Sequence, residues 1–124
     1  SQMAEGWLRR LAGDQFDVVS AGTQPVGLNP YAVAVMQERG VDISNHTSER
    51  VEPYLQQKFD YVITVCYRAQ ETCPIFPGAS SLLHWNFNDP AKAKGTFEQQ
   101  ISVFRQIRDE IAERIRRFIK EDMS

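Results

Sequence analysis

The stretch Phe59-Asp60-Tyr61-Val62-Ile63-Thr64-Val65-Cys66 decides the fold class. Tyr61 to Val65 is an unbroken run of aromatic and β-branched residues, the types that suit a pleated surface. Continuous rather than alternating apolarity predicts a strand covered on both faces, as in a parallel sheet. Cys66 stands at the C-terminal end of this strand. Downstream, Ser81 to Trp85 reads as a second, shorter strand that leads into Asn88-Asp89-Pro90. Upstream, Phe16 to Ala21 reads as a third, carrying Val18 and Val19 before Gly22.

Helix patterns alternate with these strands. Met3, Trp7, Leu8 and Leu11 share one helical face, and Gly13 ends it. Asn29-Pro30 combines an N-cap with proline at the first helical position. Tyr31, Val35 and Met36 give that helix its apolar side, and Gly40 closes it. Pro53 to Lys58 predicts one short helix more. Thr96 and Gln99 form a capping box. Behind it Phe97, Ile101, Phe104, Ile107, Ile111, Ile115 and Phe118 step by three or four into one stripe. Arg105, Asp109, Glu113 and Arg117 lie off the stripe and predict a solvated face. The alternation predicts a single α/β domain over residues 1–124, a parallel sheet flanked by helices. In such sheets ligands bind beyond the carboxyl ends of the strands, where Cys66 and Asp89 both fall.

Composition narrows the function classes. The chain has 124 residues, 42% of them hydrophobic and 24% charged, as expected of an ordinary globular domain. A net charge of -2 favours neither nucleic acid nor an anionic membrane as partner. No apolar run approaches the ~20 residues of a membrane span, and no apolar leader precedes the first helix. Two cysteines, Cys66 and Cys73, are too few for a secreted disulfide scaffold, so a cytoplasmic protein is expected. Taken alone, the pair reads more readily as buried inert thiols than as reactive ones. A zinc site made with His46 and His84 matches no familiar ligand spacing.

Several segments carry a resemblance, in order along the chain. These are Ser1-Gln2-Met3-Ala4-Glu5-Gly6, Ser20-Ala21-Gly22-Thr23, His46-Thr47-Ser48, Val62 to Pro74 with its two cysteines, and Trp85 to Ala91 with Asp89-Pro90-Ala91. Together they resemble the thioredoxin-coupled arsenate reductases of the low-molecular-weight tyrosine phosphatase family. In that family a central strand and a Cys-x5-Arg loop come before the position of Ser1. They supply the first nucleophile and the arginine that binds the oxyanion. The resemblance therefore implies a phosphatase-like α/β fold whose first, central strand is absent from this chain, between the strands at 16–21 and 59–65. As it stands, the chain is expected to be inactive without that loop. Two exposed strand edges would favour a strand-exchanged or otherwise paired dimer.

The resemblance also implies roles. Cys66 would attack the first cysteine once arsenic is bound there, arsenite would leave, and Cys73 would then form a Cys66–Cys73 disulfide for thioredoxin to reduce. Arg68 is expected to be a cationic neighbour for the Cys66 thiolate. Asp89 would be the general acid. In one helix, Cα atoms seven positions apart would be ~10.5 Å apart, whereas a disulfide needs roughly 4.4–6.8 Å. The segment 66–73 is thus expected to unwind or loop on oxidation. No tightly bound cofactor is implied. A potassium ion is implied near Glu5, Ser20, Thr47 and Glu49, with Glu49 where an aspartate would be expected. The alternatives are a phosphatase on the same fold, against which stands Ala91 where phosphatases tend to place an aromatic, and a non-catalytic binding module. Trp85, Phe87 and Phe76 are expected to serve packing, as are His46 and His84.

Overall fold

The computed structural model describes residues 2–20, 29–46, 52–54, 56–66, 77–88, 90 and 93–122. Three helices and two strands follow in the order α1 (Gln2–Ala12), α2 (Pro30–Gln37), β1 (Phe59–Cys66), β2 (Ala79–Asn86) and α3 (Phe97–Asp122). The strands are parallel, with Phe59 opposite Ala79, Ile63 opposite Leu83 and Cys66 opposite Asn86. Parallel α/β architecture is therefore present, with α3 packed on the sheet through Phe118.

Local chemistry sets the helix starts. The Asn29 side chain accepts from the Tyr31 N–H at 2.9 Å, and Pro30 opens α2. The Thr96 hydroxyl accepts from the Gln99 N–H at 3.1 Å, while the Gln99 side chain accepts from the Thr96 N–H at 2.8 Å. That reciprocal pair satisfies two donors at the start of α3, which would otherwise lack partners. Gly40, with φ +73, ends the turn after α2 in the left-handed region that glycine enters without steric cost.

The core lies where α1, α2 and the sheet meet α3. Ile101, Phe104, Ile107, Ile111, Ile115 and Phe118 of the stripe are all buried, against Met3, Trp7, Val35, Met36, Ile43 and Trp85. Phe118 joins the helices to the sheet, with its ring centroid 5.1 Å from Tyr61 of β1, 6.0 Å from Trp85 of β2 and 6.1 Å from Phe16. Gly6 lets α1 press onto the segment after α2. A Cβ there would lie 2.7 Å from Ile43 Cγ2 and 3.2 Å from Met36 Cε.

Four expectations need correction. Phe16–Ser20 forms no strand; Ala21 lies outside the described residues. The segment runs along the core instead, with Val18 buried, Val19 45% exposed and the Val18 carbonyl accepting from Arg9 Nη2. Among the described residues no strand pairs with the other edge of β1. Nor is β1 fully covered on both faces: Tyr61, Val62 and Ile63 are half-buried, and Leu82 of β2 is 43% exposed. Among the described residues, the short helix expected over Pro53 to Lys58 is reduced to a 3-10 turn at Glu52–Tyr54. Finally, Phe97 of the α3 stripe is 58% exposed, though its ring meets Tyr31 at 5.5 Å.

The charged side of α3 is more than a solvated face. Arg108 is only 3% exposed, and its Nη1 donates to the Val35 carbonyl at 2.9 Å and to Glu38 Oε1 at 2.8 Å. Its Nε and Nη2 donate to the Asp109 carboxylate at 2.8 and 3.2 Å. Arg105 grips Glu38 as well, with Nη2 to Oε2 at 2.8 Å. These pairs lock the C-terminal end of α2 onto α3. Donation from Arg105, then from Arg108, holds the Glu38 carboxyl at about 2, against an ordinary 4.5. A carboxylate with a depressed folded-state pKa stabilises above its unfolded value and loses that contribution as pH falls. Unfolding free energy from urea titrations should therefore drop between pH 4.5 and about 2 more steeply in the wild type than in Glu38→Gln. The difference should shrink in high salt, because the pair is partly solvent-exposed. Identical pH slopes for the two proteins would show that the network contributes nothing through Glu38.

Candidate active site

Because β1 and β2 run parallel, their carboxyl ends meet at one end of the sheet. Cys66 closes β1 directly opposite Asn86, which closes β2. Chain direction alone thus brings the first cysteine beside the connection that carries Asn88, Asp89 and Pro90. Pro90 is buried, and its carbonyl accepts from the Ala93 N–H at 3.1 Å. Asp89 itself lies outside the described residues, as do Arg68, Cys73 and Phe76. The structure places the backbone of Cys66 at the carboxyl end of the sheet, where parallel α/β folds bind ligands.

The floor beneath this end is well ordered chemically. Trp85, next to Asn86, is 4% exposed and packs on Phe118, with the Arg114 guanidinium 4.8 Å above its ring centroid. One step earlier, the Thr64 hydroxyl bonds across the strands to His84 Nδ1 and to the Leu83 carbonyl. If the hydroxyl proton goes to the carbonyl, His84 Nδ1 carries the proton and donates to Thr64. This pair ties β1 to β2 two residues before Cys66. His84 therefore has a structural partner that its sequence context did not reveal.

A second polar cluster lies on α1. Glu5 sits in the first helical turn, where a carboxylate is favoured by the helix dipole. Its Oε2 accepts from Arg9 Nε at 3.0 Å and lies 3.4 Å from His46 Nδ1. The side chains of Glu5 and His46 are 10% and 16% exposed. The close approach that Gly6 permits is what brings α1 against the Val41–His46 segment. Arg9 Nη2 also reaches the Val18 carbonyl at 2.5 Å, while the buried Ser20 Oγ two residues on has no hydrogen-bond partner. The sequence analysis did not single out Arg9, and it assigned His46 to packing. Arg9 was detectable as the i+4 partner of Glu5.

Of the four residues expected near potassium, Thr47 and Glu49 lie outside the described residues. Ser20 Oγ fits a cation, being an oxygen donor without a partner. Glu5 Oε2 already accepts from Arg9 Nε at 3.0 Å. Among the described residues no three His, Cys, Asp or Glu side chains cluster closely enough to hold a metal.

Comparison with known proteins accords with this architecture. The family profile described as low molecular weight phosphotyrosine protein phosphatase matches residues 1–123. The chain is 50% identical over 118 residues to an arsenate reductase of Halalkalibacterium halodurans, covering 95% of this chain and 85% of that protein. It superposes on a solved arsenate reductase in the phosphate binding state with a TM-score of 0.81 and 31% identity, covering 98% of this chain and 88% of the other. It also resembles the thioredoxin-dependent arsenate reductase of Corynebacterium glutamicum, with a TM-score of 0.57, 27% identity, and coverage of 94% and 55%. With a family match along nearly its whole length and a half-identical relative, the chain belongs to the low molecular weight phosphotyrosine protein phosphatase family, and within it is similar to arsenate reductases.

Proposed function

We propose that this chain reduces arsenate to arsenite by a relay of thiols, in the cytoplasm, with a thioredoxin-type dithiol as the final reductant. The observation that carries the proposal is the placement of Cys66 at the carboxyl end of β1, opposite the end of β2 that leads to Asp89. Half-identity to an arsenate reductase across 95% of the chain supports the substrate. The thioredoxin-dependent relative supports the reductant.

In the relay, a cysteine of the family's Cys-x5-Arg loop attacks arsenate, and Asp89 protonates the departing oxygen. The Cys66 thiolate then attacks that cysteine's sulfur. The sulfur–arsenic bond breaks, its electron pair stays on arsenic, and arsenite leaves. A disulfide now joins the loop cysteine to Cys66. Cys73 attacks Cys66, frees the loop cysteine as a thiol, and leaves a Cys66–Cys73 disulfide for the external dithiol. Each arsenate consumes two thiols and yields one arsenite, one disulfide and water.

The test is a single turnover without external reductant, on the protein with its Cys-x5-Arg loop in place. Reduced protein mixed with arsenate should release one arsenite per chain. Peptide mapping should then find Cys66 and Cys73 joined. Arsenite release with both cysteines still reduced would overturn the relay. The family match itself favours a second reading, phosphate-ester hydrolysis on the same loop. Hydrolysis of p-nitrophenyl phosphate, with no oxidation of thiols by arsenate, would select it.

A further inference from the structure

We infer that His84 is a base beside Cys66, held by Thr64 in the tautomer whose free nitrogen accepts the Cys66 thiol proton, so that Cys66 enters the relay as a thiolate. This role rests on the reductase reading, which gives Cys66 its task, and adds how that thiol is activated. His84 acts through Cys66, and Thr64 through His84, so both are positioning residues.

The hydrogen-bond chain fixes the tautomer. The Thr64 hydroxyl meets two groups, the Leu83 carbonyl at 3.3 Å and His84 Nδ1. A carbonyl only accepts, and a hydroxyl has one proton to give. Both bonds form together only if the hydroxyl donates to Leu83 and Nδ1–H donates to the hydroxyl. The neutral ring then carries its proton on Nδ1 and its lone pair on Nε2. Protonation of Nε2 leaves the Nδ1–H donor in place, so His84 can gain and lose a proton without breaking its tie to Thr64. Thr64 is buried and His84 is exposed, so the pair is anchored at one end and open to solvent at the other.

Strand register sets this base next to Cys66. Thr64 pairs with His84, and Cys66 pairs with Asn86. Residues two apart along a strand belong to the same face, so the Thr64–His84 pair is the next one back from Cys66 and Asn86. With strands ~4.8 Å apart and ~6.6 Å between residues two apart, the Cα atoms of His84 and Cys66 are about 8 Å from each other, a span that an imidazole and a thiol can close. The other face of the sheet is taken by α3, whose Arg114 lies against the Trp85 ring. On the His84 face, among the described residues, the strands carry one other charged side chain, Asp60 near the start of β1.

The proton balance closes within the pair. The Cys66 S–H bond breaks, its proton goes to Nε2, and a thiolate beside an imidazolium results, an arrangement that favours the thiolate. The thiolate attacks the loop cysteine's sulfur, and the exposed imidazolium passes its proton to water.

The test reads Cys66 directly. The reduced protein, with its Cys-x5-Arg loop in place, is alkylated with iodoacetamide over a range of pH, and peptide mass spectrometry follows Cys66. In His84→Gln the pH midpoint of Cys66 alkylation should rise by about one pH unit, which slows the reaction about tenfold below the midpoint. Thr64→Val keeps the ring but frees its tautomer, and should move the midpoint the same way by less. A pair that only tied β1 to β2 would behave differently: its loss would speed alkylation by loosening the end of the sheet, at an unchanged midpoint, and that result would overturn the inference. Should His84→Gln fail to fold, the His84 ring is titrated by NMR in the wild type and in Cys66→Ser. Its midpoint should differ between the two, because interacting groups titrate together, and equal midpoints would overturn the inference. A raised Cys66 midpoint in His84→Gln, with no arsenite formed by the wild type, would support the His84 base and sink the reductase reading. Arsenite release with an unchanged midpoint would do the reverse.

Discussion

Cys66→Ser should lower arsenate turnover by on the order of 10³-fold or more, because a relay that loses one nucleophile has no alternative route for its electrons. A serine hydroxyl is almost wholly protonated near neutral pH and cannot accept a sulfur–sulfur bond. The effect should be confined to the step after arsenic is bound. The variant should still bind arsenate or phosphate as the wild type does, and its Cys73 should stay reduced on exposure to arsenate. Cys66 closes β1 in register with Asn86, so replacing one sulfur by oxygen there should leave the sheet intact. Circular dichroism and melting temperature should confirm an unchanged fold. A Cys66→Ser protein that turns over arsenate at the wild-type rate would exclude Cys66 from the mechanism. A comparison with Cys73→Ser adds an internal control. That variant should release one arsenite in a single turnover and then stall, with Cys66 joined to the loop cysteine, because the disulfide has nowhere further to move.

The parts of this fold that were legible in the sequence are those whose cause is local. The Thr96–Gln99 capping box, the Asn29-Pro30 start and the α3 stripe depend only on residues a turn or two apart, and all form as their spacing demands. The strand at Phe59 needed only its own β-prone run. Phe16–Ser20 fails as a strand for the opposite reason: strandedness is conferred by a neighbour, and no neighbour is encoded in five residues. Val18 and Val19 do alternate, buried and exposed, but the Val18 carbonyl goes to Arg9 rather than to a ladder. Arg108 was missed because charged residues are seldom buried. It was nevertheless readable: it lies four after Phe104 and three before Ile111, squarely within the stripe. Of the candidate site, chain direction made the position of Cys66 legible. The Glu5–Arg9–His46 cluster joins α1 to the segment after α2, a tertiary meeting that no short motif announces.

Phe118→Ala should be the most damaging single truncation in the core, costing about 3–5 kcal/mol. Phe118 is 1% exposed and is the residue through which α3 meets both strands and the Phe16 segment. Removing its ring abolishes three aromatic contacts at once and leaves a void bounded by Tyr61, Trp85 and Phe16. Those rings belong to separate elements, so none can move in to fill the gap without unseating its own strand or loop. Against a total stability of roughly 5–15 kcal/mol for a domain of this kind, the loss should lower the melting temperature by about 10–20 °C. Phe97 on the same helix is the control. It is 58% exposed and has its one described ring contact with Tyr31, besides helix neighbours, so Phe97→Ala should cost no more than about 1.5 kcal/mol. Both variants remove the same atoms from the same helix, and their difference isolates burial at the junction of α3 with the sheet. Urea unfolding of the two proteins, analysed with a common slope, measures that difference directly. If the two costs were equal, α3 would not be anchored to the sheet through Phe118, and the floor under Cys66 and Asn86 would have to be held by Trp85 and its Arg114 contact instead.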